Sequence, residues 1–113
     1  IVSNKRARFI HPILKKLGID SLPWTSVIGG DTYSTMKPHP EPLLAAVLAA
    51  GSSPEKTVIV GDGTPDVAGA LAIGSRCIAV EFGYTATEEL LALGAWKSIE
   101  SFADLDPLLR SIT

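Results

Sequence analysis

Thr57-Val58-Ile59-Val60, running into Gly61-Asp62-Gly63-Thr64-Pro65-Asp66, decides how this chain is built. Three of the first four residues are apolar and all are β-branched. A run with apolar side chains on both faces predicts a buried parallel strand. The glycine-flanked turn ends it. Pro65 suits the first turn of a helix over 66–73, with Thr64 as its candidate N-cap, and Gly74 closes that helix. A strand that turns directly into a helix is the opening half of a βαβ unit.

The same alternation extends outward in both directions. Cys77 to Val80 is a second apolar strand. Thr85 and Glu88 resemble a capping box for a helix stopping at Gly94. Lys97 to Ile99 reads as a short strand. A last helix uses Leu105, Leu108, Leu109 and Ile112, with Pro107 expected to break or restart it. On the N-terminal side, Ile10, Ile13, Leu14 and Leu17 fall at helical spacing within 5–17, and Gly18 is a stop. Pro12 should kink or restart that helix. Trp24 to Ile28 is a strand candidate ended by Gly29-Gly30. Residues 31–42 form a polar loop with prolines at 38, 40 and 42, so the next helix should not start before about Pro40, and Gly51 ends it. Strands separated by helices predict an α/β, Rossmann-like parallel sheet with right-handed crossovers.

Composition narrows the function. The 113 residues suffice for one domain, and 46% hydrophobic against 19% charged describes a globular core. Ten basic and twelve acidic side chains give a net charge of −2, so no basic field exists for nucleic acid or an anionic membrane. Cys77 stands alone, which excludes an internal disulfide and a multi-thiolate zinc site and points to a reducing, cytoplasmic setting. No apolar run approaches the ~20 residues of a membrane span. The opening Ile1-Val2-Ser3-Asn4 reads as the tail of a strand, in a domain whose beginning lies upstream.

In open α/β sheets, chemistry sits at the carboxyl ends of the strands. Asp62 is the sharpest signal there. With Asp66 four residues on, it offers two short carboxylates for a hard cation such as Mg²⁺. Asp66 reads equally as a first-turn carboxylate complementing the helix dipole. Gly61 and Gly63 begin a G-x-G-x-x-G pattern that fails at Asp66. Glu81, ending the next strand, keeps a nucleotide-binding Rossmann module as an alternative. No P-loop motif is present. Ser3-Asn4 at a helix start offers a hydroxyl and free amides for a phosphate oxygen, or an ordinary N-cap. Lys37 is either a fixed ammonium for developing phosphate charge or a solvated surface lysine. His11 and His39 have no partner at metal-ligand spacing. Trp24, Trp96 and Cys77 read as packing residues.

Together these fit metal-assisted phosphoryl transfer. Ser3-Asn4-Lys5, Lys37-Pro38-x-Pro40 and Gly61-Asp62-x-x-x-Asp66 resemble motifs two, three and four of the haloacid dehalogenase superfamily. The stretch from Val58 through Ala70, the Phe82-Gly83-Tyr84 turn, Glu88-Glu89-Leu90 and Ser101-Phe102 resemble its phosphoglycolate phosphatase-like branch. The resemblance implies residues 1–113 are the C-terminal part of such a core domain, in an enzyme hydrolysing a small phosphorylated metabolite through a phosphoaspartate with Mg²⁺. It implies that Ser3, with the Asn4 backbone, binds the phosphoryl oxygens and that Lys37 neutralises the intermediate. Asp62 would ligate Mg²⁺, and Asp66 would support that site directly, through water, or by orienting Lys37. The family's first motif, D-x-D-x-[TV], and its cap are absent. The only D-x-D is Asp104-Leu105-Asp106, in the wrong place. The isolated chain is therefore expected to be inactive, with flanking strand edges exposed. A phosphomutase relative and a non-catalytic interaction protein remain open.

Overall fold

The computed structural model describes residues 1–112. β1 (Val58–Gly61), β2 (Arg76–Val80) and β3 (Lys97–Ile99) form a parallel sheet in the order β1-β2-β3. Val58 pairs with Arg76, and Ile78 with Lys97. The helices are α1 (Ala7–Lys16), α2 (Pro40–Ala49), α3 (Thr64–Ile73), α4 (Thr87–Leu93) and α5 (Leu105–Arg110). The expected α/β Rossmann-like fold is the one formed.

β2 shows why the sheet is covered on both faces. Cys77 and Ala79 point to one side, into a cluster with Val67, Ala70, Leu90 and Ala95. Ile78 and Val80 point to the other, meeting Ile99, Trp96, Leu105, Leu108 and Leu109. Ile78 and Leu90 are fully buried, each contributing about 1.5–3 kcal/mol of transfer free energy. The α3 side is lined with small residues, so that helix lies close on the sheet. Gly69 similarly admits α2: a Cβ there would stand 2.7 Å from Leu43 Cδ1. This approach brings the end of the 31–39 loop to the start of α3.

Several expectations are corrected. β1 is an edge strand of the described sheet, and Val60 is 38% exposed rather than buried. Trp24 to Ile28 is not a strand. Only Ile28 pairs, in an isolated parallel bridge to Val2, through Ser3 N to Ile28 O and Ile28 N to Ile1 O, both 2.9 Å. A two-residue pair with no third strand to extend it leaves Trp24 and Val27 exposed. α1 runs through Pro12 unbroken. Arg8, whose carbonyl the missing amide would have served, is on the exposed side. Pro107 falls in the first turn of α5, where no amide is required, so it breaks nothing. Ile112 lies beyond the helix. Gly63, not Thr64, is the N-cap of α3. α4 starts at Thr87 with no side-chain cap, so Thr85 and Glu88 form no capping box.

Cys77 is buried, and that burial pushes its thiol up to about 11, helped by the Asp66 carboxylate and opposed by Lys37. A raised thiol pKa keeps the unreactive protonated form through pH 8. Alkylation by iodoacetamide at pH 8 should therefore be slow in the native protein and fast only in denaturant. Rapid stoichiometric labelling of folded protein would contradict this.

Candidate active site

The carboxyl ends of the Val2 segment and β1 face a common groove of about 590 Å³. Ser3, Asn4, Lys37, Asp62 and Asp66 all line it. Residues 59 positions apart in sequence thus meet at one place, as the strand-end rule requires.

Lys37 is the centre of the arrangement. Its Nζ donates to the Val2 carbonyl at 2.7 Å and to Asp66 Oδ1 at 2.5 Å. Only 10% of the Lys37 side chain and 12% of the Asp66 side chain are exposed. Such a pair is held, not tumbling in solvent. Asp66 Oδ2 accepts from the Gly63 amide at 3.1 Å, so both carboxylate oxygens have partners within the chain. Gly61 permits this placement, because a Cβ there would overlap the Asp66 carboxyl group.

The main chain of Lys37 is fixed as firmly as its tip. Asn4 Nδ2 donates to the Lys37 carbonyl at 2.8 Å, and the Lys37 amide donates to Asn4 Oδ1 at 3.0 Å. The Asn4 side chain therefore clamps the lysine loop, a use that a sequence pattern alone does not distinguish from N-capping. Ser3 Oγ accepts from the Lys5 amide at 3.1 Å and lies on the groove wall. The cap of α1 comes instead from Asp31, whose Oδ1 accepts from the Ala7 amide at 2.8 Å. That bond holds the Asp31 carboxyl below its ordinary range. Gly29 and Gly30 let the chain cross the start of α1, where a Cβ on Gly30 would overlap the Asn4 carbonyl oxygen. Val2, Asp31 and this glycine pair are site-building residues that sequence reading missed. Gly29-Gly30 was visible only as punctuation.

Asp62 differs from Asp66. It is half-buried and makes no ion pair among the described residues. An unpaired carboxylate at a strand tip suits a hard cation. Among the described residues no three His, Cys, Asp or Glu side chains cluster to hold a metal ion. Mg²⁺ is often held by only one or two carboxylates, with waters and substrate phosphate completing its shell, so the donor set fits as a partial site. Glu81 is not part of it. Its Oε1 accepts from Ser98 Oγ at 2.7 Å, and it lines a different groove from Gly61 and Gly63. The nucleotide alternative loses its ribose-binding acid. His11 and His39 lie elsewhere. His39 Nδ1 accepts from the Glu41 amide and caps α2.

No helix of the described residues is long and apolar enough to cross a membrane. A family model described as haloacid dehalogenase-like hydrolase matches residues 1–80. The chain is 39% identical over 110 residues to a phosphoglycolate phosphatase of Salmonella typhi, covering 96% of this chain and 43% of that protein. It is 42% identical over 83 residues to one of Nitrosococcus oceani, covering 74% and 36% respectively. It thus spans less than half the length of these curated relatives. A crystal structure described as a predicted phosphoglycolate phosphatase from Haemophilus somnus 129PT superposes with a TM-score of 0.86 at 28% identity, over 95% of this chain and 47% of that one. A haloacid dehalogenase-like protein of unknown function from Agrobacterium tumefaciens gives 0.89 at 25% identity, over 99% and 53%. The strand-end groove, the order of its motifs and the match to the family model agree: this chain belongs to the haloacid dehalogenase-like hydrolase family.

Proposed function

We propose that this chain is the C-terminal part of the core of a Mg²⁺-dependent phosphatase that hydrolyses a small phosphomonoester resembling phosphoglycolate. The observation that carries the reading is the Lys37 ammonium, held between the Val2 carbonyl and Asp66 beside Ser3 and Asp62. An immobilised cation at converging strand ends suits charge that develops during phosphoryl transfer. The phosphoglycolate phosphatases named above support the substrate class.

In this reading Ser3 Oγ and the Asn4 backbone bind phosphoryl oxygens. Lys37 offsets their growing negative charge, and Asp66 orients Lys37 and does not itself ligate metal. Asp62 would hold Mg²⁺, which when bound polarises the phosphoryl group. The nucleophilic and acid/base aspartates come from a D-x-D-x-[TV] segment that this sequence lacks. We place that segment in a second groove, of about 990 Å³. Val60 and Ile1 both line it, together with Trp24, Val80, Phe82 and Phe102. A strand seated there would carry its carboxylates to the Lys37 end. The enzyme acts on a soluble metabolite in the cytoplasm.

The 113-residue chain alone should therefore give no turnover of an aryl phosphate with Mg²⁺, because positioning groups cannot replace a nucleophile. The full-length protein should hydrolyse phosphoglycolate. Turnover by the isolated chain that vanishes in Asp62→Asn would overturn the division of labour. A full-length protein that isomerises a sugar phosphate without releasing phosphate would establish a mutase instead.

A further inference from the structure

The Phe82-Gly83-Tyr84 turn and the Ser101-Phe102 pair supply no reacting group, yet the turn reaches Asp62 and Phe102 packs against the turn. The turn leaves the end of β2 and passes directly against the aspartate. A Cβ on Gly83 would overlap the Asp62 Cβ and would stand 2.9 Å from Cγ and 2.8 Å from Oδ2. Gly83 does not have a positive φ, so the requirement is for space and not for an unusual backbone. The following amide, Tyr84 N, points at Asp62 Oδ2 from 3.5 Å, the outer limit of a hydrogen bond.

The turn is itself braced from behind. The Phe82 ring meets Phe102 edge to face, with centroids 5.2 Å apart and planes at 71°. Glu81 N donates to the Ile99 carbonyl at 2.9 Å, and Ser98 Oγ holds the Glu81 carboxylate. Phe102 begins a 3₁₀ turn whose Ala103 amide donates to Ser101 Oγ at 3.2 Å. A line of contacts thus runs from the Ser101–Phe102 turn through Phe82 and Gly83 to Asp62.

We infer that Gly83 is a positioning residue: its bare backbone, braced by the Phe82–Phe102 contact, is the wall that sets the Asp62 carboxylate and thereby the affinity for a divalent cation. The inference rests on the metal-binding reading of Asp62 but has a test independent of it. The short side chain of Asp62 leaves few rotamers, so displacing its Cβ moves both oxygens together. Carboxylate-orienting neighbours of this kind carry about 10–100-fold in metal affinity.

The test uses full-length protein carrying Gly83→Ala, Asp62→Gly, or both together. Gly83→Ala should weaken Mg²⁺ binding by calorimetry about 10-fold or more. Saturating Mg²⁺ should restore part of kcat, while KM for the phosphoester stays near wild type. Without metal, Gly83→Ala should lower the unfolding midpoint when Asp62 is present and lower it far less in Asp62→Gly. An equal loss in both backgrounds overturns the inference, as does unchanged Mg²⁺ affinity in folded Gly83→Ala. If wild type binds no Mg²⁺, the metal reading of Asp62 fails, and the metal-free cycle still decides whether Gly83 positions that side chain.

Discussion

Lys37→Met in the full-length protein should cut phosphatase kcat by about 10²–10³-fold, the usual loss when one preorganised donor to developing oxyanion charge is removed. It should also destabilise the fold. Lys37 and Asp66 are almost wholly out of solvent, so the orphaned carboxylate would cost about 3–5 kcal/mol. The two effects separate in Lys37→Met/Asp66→Leu. Replacing a buried pair by apolar side chains of similar size removes the orphaned charge, so this variant should recover part of the denaturation midpoint, less the bonds to the Val2 carbonyl and Gly63 amide, and still lack activity. Denaturant titration and steady-state assay of the three proteins measure both. A double variant with wild-type turnover would reduce Lys37 to a structural residue.

Asp62→Asn should give the opposite profile. Its carboxylate makes no ion pair among the described residues, so neutralising it should leave the unfolding midpoint nearly unchanged. Activity should fall by about 10²-fold or more, and the residual rate should respond only weakly to added Mg²⁺, because a metal is worth several kcal/mol to phosphoryl transfer. Asp66→Asn should instead lose stability together with activity, since Oδ1 and Oδ2 serve Lys37 and the Gly63 amide. Rate against Mg²⁺ concentration, with thermal melts of both variants, distinguishes the two aspartates. Identical profiles would mean that the pair acts as one ligand set.

The β1–turn–α3 unit was legible because its signals are local. A β-branched run, two glycines and a proline each restrict a few residues of backbone, and they agree. Gly18, Gly51 and Gly74 end helices or turns in the left-handed region, at φ of 74°, 66° and 79°. The errors lie where a distant partner decides. Trp24 to Ile28 has strand propensity but only Val2 to pair with. Val60 belongs to an apolar run yet faces an open edge. Thr85 and Glu88 fit a capping pattern that α4 does not use, since its first turn begins later. The candidate site was legible as residue types at strand ends. Its internal wiring was not. That Asn4 grips the Lys37 main chain depends on which loops the fold brings together, 33 positions apart.

The Val2–Ile28 bridge shares no ladder with the three-stranded sheet. At the groove the Lys37 side chain ties the two parts, through the Val2 carbonyl on one side and Asp66 on the other. Hydrogen exchange should therefore be faster in residues 1–30 than in the β2-centred core. An opening of that segment with the core still formed would take apart the phosphate cradle first.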